Sequence, residues 1–187
     1  MKATAAAAVR GSRGRLRSDA AKEAAKAPVA VLRRADAADL DELLRLEEVC
    51  FEDWRRDSRR MIRESLKNPR HEVWVQPDLK AEPGRLAATL VLRWHLNALR
   101  VYSLATDPSR QGSGLGRGLM DFARCRAQDC GVRTMRLEAD AGRQDLLEWY
   151  ERLGFTRETL LQDFYAPGRD AWRMIAKLAD APERRPE

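Results

Sequence analysis

The sequence predicts an α+β domain, a mixed α/β sandwich of about seven strands and four helices. Three observations point there. Strand-like and helix-like periodicities alternate through the first two thirds of the chain. A turn at Pro167-Gly168 joins two closing strand-like runs into a hairpin. The 187 residues, 44% hydrophobic and 34% charged, are enough for one ordinary core.

Val29 to Arg33 reads as a first strand. A helix follows from Asp39 to Val49, with Leu40, Leu43, Leu44, Leu46 and Val49 at helical spacing and acidic residues in its first turn. A second helical stretch, about Arg56 to Leu66, turns Met61, Ile62 and Leu66 inward among many arginines. Phe51 and Trp54, in the connection between them, read either as core plugs or as one wall of a substrate groove. Glu72–Gln76 is the next strand, and Pro77-Asp78 and Glu82-Pro83-Gly84 mark a turn. Leu86–Leu96 and Leu99–Thr106 form a hairpin through Asn97. A helix over about Gly114–Cys130 is ended by Gly131, a fifth strand spans Thr134–Asp140, and a helix over about Gln144–Leu153 ends at Gly154. The strands near Thr156–Phe164 and Ala171–Leu178 close the chain. The predicted division is a basic tail over 1–28, a domain over 29–179 and a polar tail over 180–187.

The stretch VYSLATDPSRQGSGLGRGL, 101–119, carries the first chemical signal. A strand stops at Asp107-Pro108, because proline gives the ladder no amide hydrogen. Glycines at 112, 114 and 116 then lead straight into a helix. Such a turn leaves backbone N–H groups pointing forward at the positive end of a helix dipole, a cradle for phosphate oxygens. A P-loop needs Gly-Lys-Ser/Thr, and Gly116 is followed by Arg117-Gly118. A dinucleotide fingerprint needs a glycine at its sixth place, where this chain has Arg117 or Leu119. What fits is Gln111-Gly112-Ser113-Gly114-Leu115-Gly116 behind Arg110; the plain alternative is a flexible turn without a ligand.

Charge location narrows the partners. Seven of 35 basic and two of 29 acidic residues fall in residues 1–28, so the predicted domain and the polar tail after it carry only about +1 together. A nucleic-acid-binding domain carries its own basic face, so no specific nucleic-acid binding is expected of the domain. The Ala- and Arg-rich tail has too little to bury and reads as a solvated extension. Contact with RNA through charge, or a mitochondrial presequence, are its alternative readings. Cys50, Cys125 and Cys130 form no CxxC pair, which suits a reduced, cytoplasmic setting. His71 and His95 lack metal-ligand spacing, so no metal is expected. No apolar run reaches eighteen residues, so no membrane span is expected.

Trp149-Tyr150-Glu151-Arg152-Leu153-Gly154-Phe155 supplies a second motif, and Leu137-Glu138-Ala139-Asp140, Asp163-Phe164-Tyr165 and Arg169-Asp170-Ala171-Trp172-Arg173-Met174 a third. With the glycine turn, these resemble the GNAT superfamily of N-acetyltransferases, most closely its ribosomal-protein-alanine branch, over about Ala30–Leu178. That resemblance implies a GNAT-like fold, a central, mostly antiparallel twisted sheet with helices on both faces. It implies acetyl-CoA as co-substrate, its pyrophosphate on Gln111, Gly112, Ser113, Gly114, Leu115 and Gly116, and its pantetheine arm along Leu104, Ala105 and Thr106. It further implies Glu138 as general base and Tyr150, twelve residues on, as general acid. Four positions depart from the branch: Arg143 at the cofactor-contacting place of an asparagine, Asp140 where an arginine is usual, Leu146 for alanine and Phe164 for tyrosine.

The chemistry this resemblance implies is acyl transfer from a thioester to an amine. An α-amino group, with a pKa near 7.7–8.0, needs modest help to lose its proton at neutral pH, and a lysine near 10.4 needs far more. Glu138 would take that proton directly or through water, and Tyr150 would protonate the departing thiolate; no covalent enzyme intermediate is needed. The residue-level alternatives are a charged strand-edge residue for Glu138 and a core tyrosine for Tyr150. The acceptor expected is a protein or peptide amine, a ribosomal protein by the resemblance. A small free amine and a non-catalytic acetyl-CoA-binding module are the other readings.

Overall fold

The computed structural model describes residues 32–179. The tail readings for 1–28 and 180–187, and the start of the first predicted strand, lie outside the described residues. Seven strands form one sheet in the order β1-β2-β3-β4-β5-β7-β6. They are β1 (Arg33–Arg34), β2 (His71–Pro77), β3 (Leu86–His95), β4 (Ala98–Thr106), β5 (Thr134–Asp140), β6 (Thr156–Ala166) and β7 (Arg169–Lys177). Every neighbouring pair is antiparallel except β4 with β5.

Helices cover both faces. On one, α3 (Leu115–Asp129) and α4 (Gln144–Arg152) bury Leu119, Met120, Ala123, Leu146, Leu147 and Tyr150 against Leu90, Leu92, Leu99, Val101, Met135, Leu137 and Ala139. On the other, α1 (Leu40–Cys50) and α2 (Arg59–Lys67) press Leu40, Leu43, Leu46 and Ile62 on Val73, Val75, Val91 and Tyr102. This is the expected α+β sandwich, with helices on both sides of a mostly antiparallel sheet.

Two local departures have physical causes. The second helix begins at Arg59, three residues later than its periodicity suggests, because Ser58 is extended and its Oγ accepts from the Met61 amide at 3.3 Å. Apolar and polar residues alternate loosely along Val101–Thr106, yet all six are buried. Helices sit on both sides of β4, and a bulge opposite Val91 and Leu92 leaves Tyr102 out of the ladder, turned to the α1–α2 side.

Candidate active site

The site begins where β4 and β5 part. These parallel strands pair only through Leu99 with Met135 and Arg100 with Arg136. Beyond those pairs β4 runs on to Thr106 and β5 to Asp140, each held on its outer side by β3 and β7. A wedge therefore opens in the middle of the sheet, bordered by Val101–Thr106 and Leu137–Asp140. Parallel strands joined by a helical crossover can separate in this way, since α3 carries the chain between them. On the parted stretch of β4, the Ser103 hydroxyl is buried and has no hydrogen-bond partner among the described residues. Such an orphaned polar atom beside a cleft suits a ligand that brings its own polar groups.

The glycine turn lies at the open end of β4. Gly112 and Gly114 both take left-handed backbone, at φ +79° and +86°, and Gly114 is the N-cap of α3. Among the described residues no side chain caps that helix start. Its first helical bond runs from the Gly118 amide to the Gly114 carbonyl at 2.9 Å, so the amides of Leu115, Gly116 and Arg117 precede the ladder. A Cβ on Gly112 would meet nothing within 4 Å, whereas one on Gly116 would lie 3.6 Å from Trp149 Cζ2 and 3.8 Å from Thr106 Oγ1. Gly112 is thus open to a ligand and Gly116 is seated against α4 and the end of β4. Ser113 donates its hydroxyl to the Arg110 carbonyl, and Gln111 turns its amide back to the Thr106 carbonyl at 3.4 Å. The turn has the open amides and the clearance that a diphosphate requires.

Leu104 belongs to the α3–α4 core, and Ala105 packs on Phe51 at the end of α1. The Thr106 carbonyl also accepts from Cys50 Sγ at 3.4 Å. Burial, then the Asp107 carboxylate, pushes the Cys50 thiol up to about 12, so it stays a protonated donor. Arg143 precedes α4 and lays Nε and Nη2 on the two oxygens of Asp145, at 2.9 and 2.7 Å. With Cys50, Phe51, Arg55 and Arg56 it lines a cleft of about 250 Å³.

Glu138 and Tyr150 lie on opposite faces of the sheet. Glu138 alternates with the core residues Leu137 and Ala139, so it points to the α1–α2 side; Tyr150 is wholly buried on the α3–α4 side. Tyr150 packs edge-on against Trp149 and Phe155, with ring centroids 4.8 and 5.9 Å apart. The Glu138 side chain is 2% exposed. Its Oε2 accepts Nε and Nη2 of Arg100, at 2.8 and 2.5 Å, while Oε1 has a 3.4 Å contact from Nε of Arg173. The sequence reading did not single out Arg100 or the Arg173–Glu138 contact. Their signal is weak: Arg173 on β7 is in register with Glu138 and Arg100 on β4 pairs with Arg136, which is visible only once the strand order is known. Tyr165, one of the quoted aromatic pair, donates its hydroxyl to the Glu138 carbonyl at 3.0 Å. Among the described residues no three His, Cys, Asp or Glu side chains gather as a metal site, and no helix is long and apolar enough to cross a membrane.

Residues 40–155 match the family model described as the Acetyltransferase (GNAT) family. The chain belongs to this family. Its GNAT domain is 32% identical over 82 residues to the [ribosomal protein bS18]-alanine N-acetyltransferase of Escherichia coli, a match covering 44% of this chain and 55% of that protein. A mycothiol acetyltransferase of Thermomonospora curvata is 35% identical over 98 residues, 50% of this chain and 33% of that protein. The matched stretches thus span about half or less of these relatives. In structure, the GNAT domain resembles the ribosomal-protein-S18-alanine N-acetyltransferase from Escherichia coli, with TM-score 0.70 at 22% identity, covering 84% of this chain and 99% of that one. It also resembles a chain of the NatC complex bound to Gag peptide and CoA, with TM-score 0.67 at 21% identity over 80% and 98%. At those identities the likeness is one of fold.

Proposed function

We propose that this chain is an acetyl-CoA-dependent N-acetyltransferase whose acceptor is an amine of a protein or peptide. The observation that carries the reading is the parting of β4 from β5 between an uncapped, glycine-entered helix start and a buried glutamate. Family membership and the likeness to an enzyme of ribosomal-protein alanine support it. So does the resemblance to a structure that holds both a peptide and CoA.

Bound acetyl-CoA would supply the activated acetyl group as a thioester. Gln111–Gly116 would hold its diphosphate through the amides at the start of α3. The parted edge of β4, Leu104 to Thr106, presents backbone groups along which an extended polar arm can lie and from which a developing oxyanion can take a hydrogen bond. Arg143, at the mouth of α4, would border the same arm. Glu138, whose Oε1 is the less engaged oxygen, would accept the amine's proton directly or through one water, with Arg100 and Arg173 fixing the carboxylate. Tyr150, with a reference pKa near 10, would donate to the leaving sulfur from the other face.

The test is acetyl transfer from acetyl-CoA to a panel of N-terminal peptides, lysine peptides and small amines, followed by mass spectrometry. Acetylation of peptide α-amines is expected. Tight CoA binding with no transfer to any amine would leave a binding module instead. The match to a mycothiol acetyltransferase favours a second reading, transfer to a small free amine, which the same panel detects.

A further inference from the structure

Arg55, in the segment between α1 and α2, has no assigned task in that scheme, and its setting is unusual. The residue is only 6% exposed, yet its Nε and Nη2 have no hydrogen-bond partner among the described residues. Its remaining nitrogen, Nη1, lies 3.6 Å from a carboxylate oxygen of Asp140. Aromatic rings surround the guanidinium: Tyr165 at 4.8 Å, Trp54 at 5.5 Å and Phe51 at 5.6 Å from their centroids. Buried donors on a cation are costly to leave unmade, and each such case calls for a partner that completes it.

The two unpartnered atoms share one edge of the guanidinium. That edge is the one by which Arg143 grips both oxygens of Asp145, and by which Arg100 grips Glu138, in this same molecule. It matches a carboxylate, through two parallel charge-assisted bonds.

Position says whose carboxylate. Arg55 stacks on Tyr165, and the Tyr165 hydroxyl bonds the Glu138 carbonyl, so one side chain bridges the distance from Arg55 to the glutamate. Arg55 also lines the cleft of about 250 Å³ that reaches Cys50, Phe51 and Arg143, where Arg55, Arg56 and Arg143 outnumber the carboxylates Glu48 and Glu52. The sheet face around Glu138 is rich in cations besides: Arg93, Arg100, Arg136 and Arg173 stand there against Glu138, Asp57 and Glu158, and the Nε atoms of Arg93 and Arg136 are also buried without hydrogen-bond partners among the described residues. A face so charged attracts anionic acceptors and repels basic ones.

We infer that Arg55 is a specificity-determining residue that binds a carboxylate of the acceptor, close to the amine that receives the acyl group. The inference rests on the acetyltransferase reading and names its substrate class: amines that carry an acidic group one residue away or less. The carboxylate has two sources, the side chain of an aspartate or glutamate following the N-terminal residue of a peptide, or the α-carboxylate of a free amino acid.

The experiment compares matched pairs with the full-length protein. Ala-Glu and Ala-Gln peptides of otherwise identical sequence form one arm, and free amino acids against their amides form the other. In at least one arm the carboxylate member should be favoured in kcat/KM by about 10- to 100-fold, the span of charge-assisted hydrogen bonds. In Arg55→Gln that ratio should fall to about twofold or less. Because both members of a pair are measured on one preparation, partial misfolding of the variant lowers both and leaves the ratio intact. Calorimetric binding of the same peptides to the CoA-saturated protein gives a readout independent of turnover. A protein that binds the acidic peptide more tightly yet transfers nothing would sink the acetyltransferase reading alone. No carboxylate preference in either arm, or a preference that survives Arg55→Gln, would overturn the role given to Arg55.

Discussion

Arg100 places both Nε and Nη2 on one oxygen of Glu138, at 2.8 and 2.5 Å, deep beside the opening between β4 and β5. Arg173 reaches the other oxygen only at 3.4 Å and is itself more than a third exposed. The pair fixes the carboxylate on the α1–α2 side and leaves Oε1 the less engaged oxygen. Removing the arginine strands a buried charge, which typically costs roughly 3–5 kcal/mol. Arg100→Leu should therefore lower unfolding stability by about that much in urea titrations, and Arg100→Leu with Glu138→Gln should recover part of it. An additive double variant would show that the two side chains do not depend on each other.

Tyr150→Phe keeps the ring packed against Trp149 and Phe155 and removes only the hydroxyl. Acid–base groups supply about 10²–10⁴-fold, so kcat should fall within that range while KM for acetyl-CoA stays near its starting value. A core tyrosine would give the reverse, a lower melting temperature with turnover almost unchanged. Steady-state kinetics beside a thermal melt separates the two outcomes.

Gly114→Val should weaken CoA binding at least about tenfold, since a branched side chain at φ +86° resists the left-handed backbone and crowds the amides of the helix start. Gly131→Val is the control. Gly131 has a similar φ of +70° just past the far end of α3, with open space around it. It should cost stability through the same strain and leave the dissociation constant for CoA alone. Equal affinity in the wild type and Gly114→Val would remove the phosphate role from this loop.

Glu47, on the buried side of α1, accepts the Asp57 amide at 2.9 Å. Burial, with the Asp57 carboxyl adding to it, pushes Glu47 up to about 8. A carboxyl raised in the folded state binds its proton more tightly folded than unfolded. Its stabilisation is complete below the ordinary carboxyl range near 4.3 and is lost as pH climbs through about 8. A tenfold difference in proton affinity between the folded and unfolded chain is worth about 1.4 kcal/mol, so the change across pH 5 to 9 comes to a few kcal/mol. Melting temperature should fall over that window, and Glu47→Gln, which keeps an acceptor for the Asp57 amide, should flatten the fall. Parallel slopes in the two proteins would mean that Glu47 does not titrate there.

Periodicity and turn chemistry made much of this molecule legible in one dimension. Leu40, Leu43 and Leu46 mark the buried stripe of α1, Gly131 and Gly154 mark helix ends, and β5 spans the predicted Thr134–Asp140. These are local properties: a glycine is required where φ is positive, and apolar spacing shows which face is covered. The glycine turn was legible for the same reason, because its open amides follow from residues adjacent in sequence.

What the chain order could not disclose is which distant side chains meet. Residues 100, 138 and 173 become neighbours only because β4, β5 and β7 lie side by side, and that order is a property of the folded sheet. Arg55 sits in an arginine-rich run that looks solvent-facing, and its burial among Phe51, Trp54 and Tyr165 depends on a ring contributed 110 residues later. Glu138 and Tyr150 were implied together by the family resemblance, but the opposite faces they occupy come from the alternation along β5 and the packing of α4 on one side of the sheet. The sequence by itself determined most elements, their closing glycines and the candidate cradle, since short-range sterics and hydrogen bonding set them. Only the tertiary structure decided the partners of each charge, because electrostatic pairing depends on distance and burial in space.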